Sequence, residues 1–119
     1  MSIKRDKYDK AASDLIRALH NHTCEHCGKQ GRMEAAHIFG RRHQSTRYDM
    51  DNLLCLCNGC HRNFTENPVV FTDWLYQYKG RDHVNKICKR AWTVKKWVKG
   101  EKDDLLCDMR MKLKEIENG

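Results

Sequence analysis

The chain has 119 residues and carries 23 Lys and Arg against 16 Asp and Glu, a formal net charge of +7. This length is typical of one domain and excludes a multi-domain enzyme. No apolar run approaches the roughly 18 residues of a membrane-spanning helix, and residues 1–10 lack the apolar stretch of a secretion signal. We therefore expect a single intracellular domain over residues 1–119, whose positive charge favours a polyanionic partner such as nucleic acid.

The predicted elements begin with an amphipathic helix at about residues 5–20, because apolar side chains recur there at helical spacing. Residues 33–39 and 52–56 are short and apolar enough to be strands. The polar stretch 40–51 between them is predicted to be a loop. A further helix is predicted to begin close to His61.

The C-terminal part is predicted to be helical at about residues 68–117. Asn67 suits an N-cap, Pro68 suits the first helical position, and three apolar stripes at helical spacing follow. Gly100 is expected to separate the last two helices. The predicted fold class is therefore α+β, a small ββα core at about residues 24–67 flanked by N- and C-terminal helices.

The cysteine pattern predicts a structural metal site. Seven is an odd number, so a disulfide framework is not expected in an intracellular chain. Two Cys-x-x-Cys pairs, Cys24 with Cys27 and Cys57 with Cys60, can each present two thiolates from one tight turn, and together they complete a tetrahedral zinc site. The alternative is a redox dithiol or a set of free thiols.

The other three cysteines are expected to be structural. Cys55 lies on a predicted strand and could compete as a ligand, but a buried free thiol is the better interpretation. Cys88 and Cys107 lie on apolar helical faces and are predicted to belong to the core.

Residues between the two cysteine pairs and directly after the second pair are suited to phosphodiester hydrolysis. That reaction needs a base to take a proton from water and a cation to stabilise charge on the leaving oxygen. His37, at the exit of the first strand, is the candidate base. His61 directly follows Cys60, whose backbone the zinc would hold in place, so it is the candidate ligand of a catalytic divalent ion.

The order of His37 and Asn52 between two Cys-x-x-Cys pairs, with His61 directly after the second pair, resembles the zinc-bound, treble-clef-like ββα-metal group of HNH endonucleases. The stretches 37–42 and 46–49, together with Asn52, are most similar to phage-type members, including the phage recombination endonucleases called Rap or NinG.

The resemblance implies a DNA endonuclease that uses Mg²⁺ or Mn²⁺ beside its structural zinc. It also implies that the amide of Asn52 bridges the loop backbone and so orients His37. Duplex or branched DNA would be the substrate in phage-like recombination or DNA processing. A phage-encoded protein would act in the cytoplasm of the bacterial host.

Two positions depart from the family pattern. The family usually has Asp or His as a metal ligand where this chain has Ala36, and often a second helical His where it has Thr65. Glu34, His43 and Asp49 are candidate substitutes. Water and phosphate oxygens could complete the shell of the ion.

Arginines of the predicted loop are expected to contact phosphate, with a solvated charged loop as the alternative; they are Arg41, Arg42 and Arg47. The lysine-rich residues 89–99 contain Trp92 and Trp97, which could stack on bases or could belong to the core. Four further histidines are expected to be ordinary surface residues: His20, His22, His26 and His83.

Two other functions compete with the nuclease hypothesis. A non-catalytic nucleic-acid-binding zinc module derived from an HNH nuclease would keep the basic surface without the chemistry. A zinc-stabilised protein-interaction domain would leave the basic loop beside His37 unexplained.

Overall fold

The computed structural model describes residues 3–119 and has an α+β architecture, as predicted. Within these residues, five α-helices and a short 3-10 helix (Met50–Asn52) surround a two-stranded antiparallel sheet. The elements are, in chain order, α1 (Lys7–Leu19), β1 (Glu34–His37), β2 (Leu53–Leu56), α2 (Asn58–Glu66), α3 (Pro68–Lys79), α4 (Arg81–Ala91) and α5 (Glu101–Asn118).

Helix α1 begins at a reciprocal cap. The Asp6 carboxylate accepts hydrogen bonds from the backbone N–H groups of Tyr8 and Asp9, and the Asp9 carboxylate accepts one from the Asp6 N–H. Such a cap satisfies backbone donors that the first helical turn leaves free. Beyond the cap, α1 buries Leu15 and Ile16 against the sheet and α5.

The sheet lies between two hydrophobic clusters, because alternate side chains of a strand point to opposite faces. On one face, Ala36 and Leu54 are register partners and pack with Phe64 of α2. On the other face, Ala35 and Leu53 pack against α1 and α5. Both strands of the short hairpin are therefore held from two sides.

The loop between the strands, residues 38–52, is held by the C-terminal end of α4. The ring nitrogen Nδ1 of His43 donates to the Ala91 carbonyl at 3.0 Å, and the Ser45 hydroxyl donates to the Arg90 carbonyl. The Arg90 guanidinium pairs with Asp49 at 2.9 Å. These contacts fix a loop that has little regular structure of its own.

Two expectations about the helices need correction. Asn67 precedes α3 but does not cap it, because its side chain donates back to the carbonyl of Asn63 at 2.9 Å; Pro68 is at the first helical position as predicted. Cys107 is exposed on α5 rather than buried, and Cys88 is half-buried. Cys55 is fully buried, as expected.

Across residues 3–119, no helix combines the length and the apolar character needed to cross a membrane.

Candidate active site

The four paired cysteines converge on one point, as the sequence predicted. The sulfur atoms of Cys24, Cys27, Cys57 and Cys60 all lie within 4.8 Å of one another, and those of Cys27 and Cys57 are 3.8 Å apart. A tetrahedron with zinc–sulfur bonds of about 2.3 Å has sulfurs about 3.8 Å apart. The donor set therefore fits a structural zinc ion.

Local backbone geometry builds each half of this cluster. Cys57 is the N-cap of α2, and its sulfur accepts a hydrogen bond from the Cys60 N–H at 3.5 Å. Cys24 accepts one from the Cys27 N–H at the same distance, and Gly28 closes that turn at φ 79°, in the left-handed region that glycine tolerates.

The close packing of the four cysteines shifts the pKa values of two of them in opposite directions. Burial opposes ionisation of Cys24, but backbone N–H donors outweigh it and lower its pKa to about 7. Burial and hydrogen bonds with the neighbouring cysteine sulfurs raise the pKa of Cys60. A bound cation deprotonates coordinating thiols outright, so this donor set is suited to a metal rather than to four free thiols.

Two side chains of the first cysteine turn connect it to the rest of the fold. Glu25 is buried and accepts hydrogen bonds from the Cys55 N–H at 2.7 Å and from the Tyr78 hydroxyl at 2.8 Å. His26 is solvent-exposed, but its Nδ1 lies 3.2 Å from the Cys60 sulfur and its ring packs edge-on against Phe64. His26 is therefore a surface residue, as expected, but one that contacts the cysteine cluster and Phe64.

His37 is half-buried at the end of β1. Its Nε2 is 3.2 Å from the Arg47 carbonyl oxygen, and because a carbonyl only accepts, Nε2 carries the hydrogen. Nδ1 is then the nitrogen with a free lone pair. Burial lowers the pKa of His37, and the nearby Arg41 lowers it further, although the hydrogen bond to the Arg47 carbonyl acts in the opposite direction. The ring is therefore a neutral base at neutral pH.

Asn52 is completely buried at the end of the 3-10 helix, directly before β2, and both its amide oxygen and its amide nitrogen form hydrogen bonds. Its Oδ1 accepts from the Phe39 N–H at 2.8 Å, and its Nδ2 donates to the carbonyls of Phe39 at 2.9 Å and Thr46 at 3.0 Å. These three bonds join both ends of the loop that follows His37.

His61, in the first half of α2, contacts the carboxylate of Glu34. Its Nδ1 is 2.7 Å from Glu34 Oε1, and because an ionised carboxylate only accepts, the hydrogen resides on Nδ1. Nε2 is then free to act as a ligand. A carboxylate that orients a metal-binding imidazole in this way is a recurrent arrangement.

The other candidate ligands do not join His61. His43 is engaged with the Ala91 carbonyl, and Asp49 with Arg90. The Thr65 hydroxyl donates to the His61 carbonyl at 2.8 Å. In the part of the chain that the structure describes, the cysteine cluster is the only group of three or more metal-ligating side chains.

One open cleft brings these residues together. His37 and His61 both line it, as do Glu34 and Arg41. Three further arginines line it from separate parts of the chain: Arg5 before α1, Arg17 on α1 and Arg32 before β1. The sequence did not indicate them, because none belongs to a motif, and only folding brings them to the cleft of the histidines.

The three loop arginines have different environments. Arg42 is exposed and Arg41 is half-exposed at the cleft. Arg47 is buried, and its guanidinium donates to the Asp9 carboxylate at 2.6 and 3.1 Å and to the Lys4 carbonyl at 3.0 Å. The expectation that Arg47 contacts phosphate was therefore wrong, since its hydrogen bonds are directed inward.

Comparison with known proteins supports the HNH family. A family model described as HNH endonuclease matches residues 23–72, the segment that holds the cysteine cluster, His37, Asn52 and His61. The match makes this segment similar to nuclease domains of that family. No curated protein and no solved structure matches the chain.

Proposed function

We propose that this chain is a metal-dependent DNA endonuclease of the HNH type, which hydrolyses phosphodiester bonds. The observation that carries the proposal is the shared cleft, where the neutral imidazole of His37 and the oriented imidazole of His61 lie among arginines. A base, a metal ligand and phosphate-binding cations are the three parts that this reaction needs.

His37 acts as the general base. Its Nδ1 takes the proton of a water molecule as the water oxygen attacks phosphorus, and the bond from phosphorus to the leaving sugar oxygen breaks. The Arg47 carbonyl holds the ring in the tautomer that leaves Nδ1 free. Asn52 supports this step indirectly, because its three hydrogen bonds fix the loop that contributes the carbonyl.

His61 would hold the catalytic ion through Nε2, and Glu34 orients the His61 ring. A divalent ion bound there would stabilise negative charge on the leaving oxygen. Because the protein offers few ligands, waters and phosphate oxygens would have to complete the shell, and affinity for the ion would be low. Mn²⁺ accepts imidazole more readily than Mg²⁺, so Mn²⁺ is the better activator.

Arginine side chains hold the DNA backbone. Arg41 and Arg42 extend from the loop, and Arg5 and Arg41 share the cleft with the two histidines. Arginine can donate two parallel hydrogen bonds to one phosphate, which positions the backbone without reading sequence. The enzyme is therefore structure-selective or weakly sequence-selective, as the similarity to phage recombination endonucleases also suggests.

One observation favours a second candidate function. Glu34 is the sole acidic contact of His61 among the described residues. A chain that has lost metal ligands at positions 36 and 65 could bind nucleic acid without cutting it. This non-catalytic zinc module is the alternative.

Incubation with supercoiled plasmid and with branched oligonucleotides, across Mg²⁺, Mn²⁺ and EDTA, separates the two functions. The proposal predicts nicking with Mn²⁺, weaker nicking with Mg²⁺ and none with EDTA. Salt-sensitive DNA binding without cleavage under any ion would instead establish the alternative.

A further inference from the structure

We propose that Trp92 is a stacking site for an unpaired base, so that the protein selects DNA with a single-stranded segment next to its cleft. The inference rests on the proposed function only in taking nucleic acid as the partner. It concerns the basic strap, defined as residues 92–99, which connects α4 to α5 without regular structure.

The two tryptophans of the basic strap differ in burial. Trp97 packs against Tyr48 with ring centroids 5.7 Å apart and joins the cluster beneath α1 and α5. Trp92 is 68% exposed, and Val94 is 86% exposed. Core packing therefore explains Trp97 but leaves the large apolar surface of Trp92 without a partner.

Trp92 is nevertheless held in place on one side. Its ring makes an edge contact with His43, with centroids 5.1 Å apart and planes at 75°. His43 Nδ1 donates to the Ala91 carbonyl at 3.0 Å, which leaves Nε2 to accept from Arg42 Nε at 3.3 Å. Both ring nitrogens of His43 are thus engaged, so it gives the indole a fixed support and connects it to Arg42.

The charge around Trp92 suits a nucleic acid. Lys95 pairs with Glu101 at 2.8 Å, but Lys96 and Lys99 are exposed and have no carboxylate within ion-pair distance among the described residues. Arg42, also exposed, donates to Nε2 of the same His43 ring. Lysine is depleted in protein–protein interfaces, whereas aromatic side chains set in a basic groove are typical of single-strand binding.

The stacking site is connected to the cleft through one loop. His43 also contacts Phe39 edge-on, with centroids 6.0 Å apart, and Asn52 holds the backbone of Phe39 two residues after His37. A base stacked on Trp92 would therefore lie on the loop that shapes the active site. Bases inside a duplex are already stacked on their neighbours, so only an unpaired base has a face available for the indole.

The test compares Trp92→Leu, which keeps an apolar side chain, with Trp92→Phe, which keeps an aromatic face; Val94→Ala is the matched control on the same strap. Binding is measured by fluorescence anisotropy without added Mg²⁺ or Mn²⁺, with a plain duplex and with the same duplex carrying a single-stranded dT tail. We expect Trp92→Leu to weaken binding of the tailed duplex by about 5- to 100-fold and to leave plain duplex binding unchanged. Trp92→Phe should retain most of the affinity, and Val94→Ala all of it.

Two results would overturn the stacking site: equal affinity of Trp92→Leu and the parent for the tailed duplex, or an equal loss for both DNAs. Plasmid cleavage by the parent is scored separately. A parent that cuts plasmid while Trp92→Leu binds tails normally rejects the stacking site alone. If Trp92→Leu loses affinity only for the tailed duplex while the parent does not cut plasmid, the stacking site is supported and the endonuclease is rejected.

Discussion

His37 shows how one residue acquires a function from its surroundings. An isolated histidine has a pKa near 6.5 and is partly protonated at neutral pH, which weakens it as a base. Here burial lowers the pKa, Arg41 lowers it further, and the Arg47 carbonyl fixes the tautomer. The sequence identified the residue, but the carbonyl that orients it comes from a position ten residues away in the chain.

The His37 ring should therefore titrate below pH 6.5. Its neutral form persists as the pH falls from neutrality, and protonation begins only in the window below the ordinary value. NMR titration of the ring in protein without a catalytic ion measures this directly. Arg41→Gln removes a nearby positive charge and should move the midpoint upward. A midpoint above 6.5 in the parent would refute the argument from burial.

Glu34 should control the affinity for the catalytic ion rather than the fold. Its carboxylate is 46% exposed, so Glu34→Ala leaves no buried cavity, but it releases His61 from its orientation. Loss of such a carboxylate typically weakens metal binding or activity about 10- to 100-fold. We expect the Mn²⁺ concentration for half-maximal cleavage to rise by that factor, and Glu34→Gln to have a smaller effect. An unchanged Mn²⁺ requirement would show that Glu34 has no part in the site.

Among the elements, α1 matters because it stabilises the active-site loop. Asp9, in its first turn, forms a buried ion pair with Arg47, and Asp6 accepts a hydrogen bond from the Tyr48 hydroxyl at 2.8 Å. Removing the Asp9 charge would leave the buried Arg47 guanidinium with Asp6, 3.4 Å away and partly exposed, as its remaining carboxylate. The helix thus anchors the segment whose carbonyl orients His37.

Asp9→Asn should lower the free energy of unfolding by about 3–5 kcal/mol. Asp14→Asn, on the same helix but in partly exposed pairs with Lys10 and Arg17, should cost less than about 1 kcal/mol. Urea denaturation at neutral pH measures both. Equal effects of the two substitutions would contradict the importance of the buried pair.

The contribution of Asp9 also has a pH dependence. Burial favours the neutral acid, but hydrogen bonds from Arg47 and Asp6 outweigh it and lower the pKa below 3.8. The stability that the ionised Asp9 carboxylate contributes is then fully present above the pKa that Asp9 has in the unfolded chain. It is lost as the pH falls through the lower pKa that Asp9 has in the folded protein. The difference in unfolding free energy between the parent and Asp9→Asn should accordingly become smaller only in strong acid.

Local signals in the sequence predicted the elements well, because helical spacing and Cys-x-x-Cys turns depend on neighbouring residues. Contacts between distant residues were not predictable in this way. Arg41 and Arg47 look alike in sequence and both lie within 4 Å of Asp9, but only Arg47 also reaches Asp6 and the Lys4 carbonyl and is buried. Trp92 and Trp97 likewise have similar neighbours, and only Trp97 packs against Tyr48.

In the molecule as a whole, the four-cysteine cluster joins the part of the chain that precedes the sheet to the part that begins with α2. Neither part has a large hydrophobic core of its own. One Cys-x-x-Cys turn precedes the sheet and the other begins α2, so a metal there would close the hairpin between them. Structural zinc sites contribute about 10–16 kcal/mol of binding free energy in small zinc-finger peptides. That is comparable to the entire stability of a typical domain.

We therefore expect about one zinc per chain to copurify, and Cys24→Ser or Cys60→Ser to prevent folding. Cys107→Ser is the matched control, because Cys107 is exposed on α5 and far in sequence from the cluster. Elemental analysis and circular dichroism check both expectations. Folded protein that contains no zinc would contradict them.

In the proposed mechanism, His37 performs the chemistry while other residues bind the DNA. The single-turnover cleavage rate of His37→Ala with Mn²⁺ tests this, alongside its DNA affinity and a His22→Asn control on an exposed histidine. We expect the rate of His37→Ala to fall by at least about 100-fold, since a positioned base contributes 10²–10⁴-fold, while its DNA affinity and the control stay unchanged. A His37→Ala protein that cuts at the rate of the parent would contradict this mechanism.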